Sequence, residues 1–171
     1  MANPVTIYKL TILNLLDNVH FPLTNTQISD FFLEYGYTDY FHVQQTIHDL
    51  AEANLLRAGA FRNRTLYYLT DSGKETLNML SEKLTDSIRS DTAAYLAKNG
   101  TAMRLANTLF SDYTKTSEND YAVHLELAEH GKSKIDLTLT VAKQRQAKAI
   151  CENWEKQNEA VYTYLMDLLM K

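Results

Sequence analysis

Residues 38–69 read TDYFHVQQTIHDLAEANLLRAGAFRNRTLYYL, and the hydrophobic period changes half-way along this stretch. Thr38 or Asp39 can cap a helix whose inward stripe is Val43, Ile47, Leu50 and Ala51, and Asn54 stands where a left-handed closing residue is wanted. Leu55 to Phe61 and Thr65 to Leu69 then read as two short strands separated by Arg62-Asn63-Arg64, a hairpin with a basic tip.

Two helices precede this stretch. Asn3 and Pro4 start the first, and Tyr8, Ile12, Leu15, Leu16 and Val19 recur at helical spacing until Pro22. Thr24 and Gln27 have capping-box spacing for the second, which buries Ile28, Phe31 and Phe32 and stops at Gly36. After the hairpin, Thr70 caps a connector helix carrying Leu77, Leu80 and Leu84. A fresh cap at Thr85 restarts it toward Tyr95, Leu96 and a stop at Asn99-Gly100. From Thr101 the spacing of Met103, Leu105 and Leu109 is strand-like.

Two clearer strands follow. Tyr121, Val123, Leu125 and Leu127 alternate with polar or small residues, and after a turn at His130-Gly131 so do Ile135, Leu137, Leu139 and Val141. From about Lys143 to Met170, Ala147, Cys151, Trp154, Asn158, Val161, Leu165 and Leu168 recur at steps of four and three, a long amphipathic helix. The expected fold class is α+β: an N-terminal winged helix-turn-helix followed by a small antiparallel sheet packed with a long C-terminal helix. The expected domains are 1–84, winged helix with connector, and 85–171, for dimerisation or effector binding.

In a winged helix the third helix enters the DNA major groove and the hairpin touches the flanking backbone. With Val43, Ile47 and Leu50 inward, Phe41, Gln45, His48 and Glu52 face outward and Gln44 flanks them. Gln44 and Gln45 carry the donor and acceptor pair that matches adenine, and Phe41 suits a thymine methyl. Arg62, Asn63 and Arg64 place two cations where phosphates or a narrow minor groove lie. Against this, residues 1–70 carry four basic side chains (Lys9, Arg57, Arg62, Arg64) and six acidic ones, a net of −2.

The segment Tyr40-Phe41-His42-Val43-Gln44-Gln45, then Leu50 to Leu56, then Tyr67-Tyr68-Leu69-Thr70 with Gly73, resembles winged-helix regulators of the PadR and MarR kind. Tyr121-x-Val123-x-Leu125, the Glu129-x-Gly131 turn, Ala147, Cys151-x-x-Trp154 and Tyr162 resemble, more narrowly, a bacterial winged-helix family catalogued as a domain of unknown function. The resemblance covers nearly the whole chain and implies a DNA-binding-like fold and transcriptional control, with no ligand or operator attached. Asn54 stands where such proteins often have Gly.

Composition bounds the alternatives. The 171 residues are 45% hydrophobic and 22% charged, values of a folding chain of one or two small domains. The net charge of −4 removes bulk attraction to nucleic acid or anionic membrane. One cysteine, Cys151, forms no internal disulfide, and neither a secretory leader nor a membrane span is legible, so a cytoplasmic protein is expected. The sequence holds no Gly-rich phosphate loop, nucleophile elbow or paired-carboxylate motif, so no enzyme, cofactor or metal is expected; Glu126, Glu129, Asp136, His124 and His130 are read as coating a wet sheet face. The leading expectation is a homodimeric transcriptional regulator that binds double-stranded DNA, dimerises through Val161, Leu165 and Leu168, and has room for a small-molecule effector. The competing one is a protein-interaction module on the same scaffold without DNA affinity.

Overall fold

Asn3 accepts a hydrogen bond from the Val5 amide (2.9 Å) and Pro4 fills the first helical position, which starts α1, Pro4–Asp17. The computed structural model describes residues 3–171. Thr24 and Gln27 form the capping box of α2, Asn25–Glu34, each side chain accepting from the other's amide (3.2 and 2.9 Å). Asp39 caps α3, Tyr40–Glu52, and Asn54 takes a φ of +60° just after it.

Strands β2 (Leu56–Phe61) and β3 (Arg64–Leu69) form an antiparallel hairpin. Its turn has two residues and not three: Arg62 (φ +52°) and Asn63 (φ +65°) are both left-handed, as a type I′ turn requires, and Arg64 pairs with Phe61. A two-residue strand, β1 (Leu23–Thr24), joins β3 to make the sheet order β1-β3-β2.

Thr70 caps α4, Asp71–Met79, by accepting from the Gly73 amide (2.9 Å). A 3-10 turn at Ser81–Lys83 leads to α5, Asp86–Thr108, whose first turn is held by the Ile88 amide on the Thr85 hydroxyl (3.2 Å). The expected stop at Asn99-Gly100 and the strand from Thr101 are not there. Gly100 lies inside the helix, and Met103, read as a strand residue, continues the buried row Ile88, Thr92, Tyr95 and Met103 to Asn107. The steps of four, three, eight and four along that row keep one helical face, and they outweigh the spacing of two between Met103 and Leu105.

The chain divides into two compact units, 1–107 and 108–171. The helix assigned on sequence grounds to the second domain therefore packs on the first: Ile88, Tyr95 and Met103 join Leu10, Phe31, Phe32, Val43 and Ile47 in one core. Tyr95 sits edge-on to Phe31 (5.4 Å between centroids) and donates its hydroxyl to the Gln27 carbonyl (2.8 Å). Asn107, 1% exposed, donates to the Pro22 carbonyl (2.8 Å) and to Gln27 Oε1 (2.7 Å).

In the second unit β4 (Leu109–Lys115), β5 (Tyr121–Glu129) and β6 (Lys132–Val141) form an antiparallel sheet in the order β4-β5-β6. His130 (φ +52°) and Gly131 (φ +78°) make the β5–β6 turn, and a bulge follows, with Lys134 as the extra residue between Ser133 and Ile135. The helix α6, Gln144–Leu169, covers one sheet face, burying Ala147 and Trp154 against Val123, Leu125, Leu127 and Ile135. Trp154 Nε1 donates to the Glu126 carbonyl (3.1 Å). Asn158, 4% exposed, is buried in its own unit and donates back to the Trp154 carbonyl (2.9 Å). Among the described residues, then, the molecule is α+β, with six α-helices, two small antiparallel sheets and a long C-terminal helix. No described helix is long and apolar enough to cross a membrane.

Candidate nucleic-acid interface

The inward stripe of α3 is Val43, Thr46, Ile47 and Leu50, all buried. That orientation leaves Phe41, Gln45, His48 and Glu52 exposed, as the facing argument expects. Phe41 is 85% exposed, and Tyr40 beside it is exposed too. An apolar ring held in water at the first turn of a helix is the surface feature here that most needs an explanation. Its neighbours are polar. Asp39 Oδ1 accepts from the His42 amide (2.9 Å) and lies 2.8 Å from His42 Nδ1; the amide bond, then the ring contact, hold the Asp39 carboxyl below its ordinary pKa. Gln45 Nε2 donates to Asp49 Oδ1 (2.9 Å) one turn on, a surface bond that a better partner can replace.

Gln44 is placed differently. Its amide is half-buried and pairs reciprocally with the Asn25 amide of α2, and its Nε2 also donates to the Ser29 hydroxyl (3.0 Å). Gln44 thus ties α3 to α2, and its hydrogen-bonding capacity is already in use.

Of the hairpin residues, Arg62 and Asn63 are exposed at the turn. Arg64 is half-buried, and its Nη2 donates to the Ala106 carbonyl and to Asn107 Oδ1 (3.1 Å). A guanidinium on the last carbonyls of a helix meets the negative end of the dipole, so Arg64 braces the end of α5. Both arginines are expected at the tip of the wing; Arg64 instead sits one residue past the turn, in β3. The structure also supplies a cation that sequence reasoning left aside: Arg57 lies over the Tyr68 ring (4.4 Å), its partner across β2–β3.

The three expected interface residues of α6 also differ from one another. Val161 is half-buried against the core of its own unit, Leu165 is half-buried outside that core, and Leu168 is 52% exposed. Tyr164, Leu169 and Met170 are exposed beside it. Cys151 is half-buried on the sheet-facing side, and burial pushes its thiol pKa up, the opposite of a reactive thiolate.

Residues 8–169 match the family described as a domain of unknown function, DUF4364. The chain belongs to that family. Neither a curated protein nor a solved structure matches it, so the likeness to PadR and MarR regulators rests on the quoted residues alone. The DUF4364 match runs through both units, from α1 to the end of α6.

Proposed function

We propose that this DUF4364 chain is a cytoplasmic, homodimeric DNA-binding regulator of winged-helix type, with α3 as its reading helix and the β2–β3 hairpin as its wing. The observation that carries the reading is the outer face of α3, where Phe41, Gln45 and His48 stand exposed on successive turns. The element order α1-β1-α2-α3-β2-β3, with β3 central in its sheet, supports it, because a winged helix needs a reading helix followed by a hairpin on the same unit. The amino-terminal half of α3 enters the groove, since Asp49 and Glu52 repel phosphate from the other half. Phe41 meets a thymine methyl and Gln45, released from Asp49, reads an adenine edge.

Selection of binding sites from a random duplex pool tests this. Gln45→Ala is expected to relax preference at one base by about 1–3 kcal/mol while non-specific affinity holds. Arg62→Ala is expected to weaken all sequences alike and to flatten log affinity against log salt by about one unit, the effect of losing one phosphate contact at the hairpin tip. Selected sites identical to the parent's exclude Gln45 as a reader.

A second reading, a protein-interaction module, is favoured by the −2 balance of residues 1–70 and by the use of Gln44 and Arg64 inside the fold. Failure of the full chain to bind any duplex at low salt, with Phe41 still required for capture of a protein partner, selects it.

The homodimer is assigned to the distal end of α6. Leu165→Glu with Leu168→Glu is expected to give a folded monomer in sedimentation, because charges in an apolar seam cost several kcal/mol of association. Val161, packed against the core of its own unit, is left intact in that test. A dimer that survives the double substitution places the interface elsewhere.

A further inference from the structure

The sheet of the second unit has two edges, β4 and β6, and they differ. Along β4 the Asp112 carboxylate accepts from the Tyr113 amide (2.8 Å) and the strand ends on Lys115, so a side-chain bond and charge blunt it. The second half of β6 has no such guard. Leu137-Thr138-Leu139-Thr140-Val141 carries no charge, no proline and no bulge, and among the described residues its backbone makes no hydrogen bond beyond the ladder with β5. Both lysines of the strand, Lys132 and Lys134, and its bulge lie at the hairpin end.

The side chains supply a second, independent observation. By its register Leu139 belongs to the row that faces α6, opposite Val123. Val123 is fully buried, yet Leu139 is 43% exposed, and Leu137 on the same row is half-buried. The cover that α6 gives to β5 therefore stops short of β6, and an apolar strip of the core face lies open beside an open backbone edge. One more strand satisfies both, provided that it alternates in the same way, apolar on the α6 side and polar on the other.

We infer that this strand is β6 of a second copy of the chain, paired antiparallel about a twofold axis at Thr138. The sequence is self-complementary about that residue. Ile135 stands opposite the partner's Val141, Leu137 opposite the partner's Leu139, Asp136 opposite the partner's Thr140, and Thr138 opposite the partner's Thr138. Apolar side chains meet apolar ones, hydroxyls meet hydroxyls, and no two like charges face each other. Neighbouring centres do worse. An axis at Asp136 sets two carboxylates face to face, one at Leu137 draws the bulge residue Lys134 into the ladder, and one at Leu139 sets Ile135 against the partner's Lys143. The axis runs perpendicular to the sheet, so the two three-stranded sheets become one and both α6 helices stay on the same face. A single strand pair is marginal on its own in water, so the pairing acts together with the seam assigned to the end of α6 and to that extent rests on the homodimer reading. It does not depend on DNA binding.

Sedimentation of the full chain over a range of concentrations tests it, with charges placed on the axis. Thr138 is exposed and would face its own copy, so Thr138→Asp sets two carboxylates opposite each other and Thr138→Lys two ammonium groups. Each variant alone is expected to weaken the dimer about tenfold, and an equal mixture of the two to recover the parent's affinity, since opposite charges then meet. Far-UV circular dichroism and Trp154 fluorescence report that the variants are folded. Where one is not, Leu139→Lys takes its place, with the same loss expected from a charge set against the partner's Leu137. Parental affinity in the variants, or a mixture no tighter than either variant alone, overturns the β6 pairing and leaves the α6 seam standing. Loss of the dimer in the Thr138 variants but not in Leu165→Glu with Leu168→Glu upholds β6 and removes α6 as the interface. A parent chain that stays monomeric overturns both and leaves the edge of β6 to a strand of another protein.

Discussion

A chain ending at residue 84 is expected to have no cooperative fold, whereas one ending at 107 is expected to melt in a single transition. Ending at 84 removes all of α5 and with it Ile88, Tyr95 and Met103 from the N-terminal core. Deleting one large core side chain costs about 2–5 kcal/mol, and three together match or exceed the roughly 5–15 kcal/mol that holds a domain folded. The polar losses add to this. Asn14 Nδ2, which donates to the Thr92 hydroxyl (3.4 Å), and the Gln27 carbonyl, which accepts from Tyr95, both lose partners. An orphaned buried polar group costs about 1–3 kcal/mol more. Thermal circular dichroism of the two chains is the check; a cooperative transition in 1–84 would show that α5 is dispensable to the first unit.

Replacing Gly73 by alanine is expected to cost about 3 kcal/mol, near the upper end for an overpacking substitution. A Cβ built there lies 2.2 Å from the Leu55 carbonyl oxygen and 2.8 Å from Leu69 Cδ1. The first contact is with backbone, and that carbonyl already accepts from the Thr70 amide (3.3 Å), so it cannot retreat without breaking the junction of β2 with the α4 cap. Gly100→Ala is the internal control. Nothing lies within 4 Å of its Cβ, and a glycine inside a helix costs about 0.5–1 kcal/mol relative to alanine, so this change should stabilise. Denaturant midpoints moving in opposite directions confirm the contrast; equal shifts would refute the steric account of Gly73.

What the sequence disclosed was what acts over short range. Asn3, Thr24, Asp39, Thr70 and Thr85 bond amides two or three residues ahead, so their caps are legible as written. The left-handed positions Gly36 and Asn54 are legible for the same reason. The roles of Gln44 and Arg64 were not, because their partners lie 19 and 43 residues away. Nor was β1, since two residues have no period. The α5 error has a different origin: Met103 and Leu105 fit a strand locally, while the helical row that fixes Met103 begins at Ile88. On the sequence, His124, Glu126 and Asp136 read as coating a wet sheet face. The alternation of β5 and β6 already put each on the outer side; their meeting depends on a register that no single strand declares.

That register depends on one residue. Between Leu127 and Ala128 the pairing slips because Lys134 has no opposite number, and its ammonium turns to the Glu129 carboxylate (3.0 Å) and the Tyr162 ring (4.1 Å). Strand faces alternate with a period of two, so a strand that carries one odd residue keeps its faces only by setting that residue outside the pairing, as the bulge does with Lys134. Deleting Lys134 would pair Ser133 and Ile135 in regular succession with Ala128 and Leu127, and Ile135, Leu137 and Leu139 would still face α6. Beyond Ile135 the pairing is regular, and a one-residue change absorbed by no bulge there would turn the rest of the strand over. The bulge is therefore slack in the register: length changes of a single residue are tolerated where it lies and nowhere else along the strand.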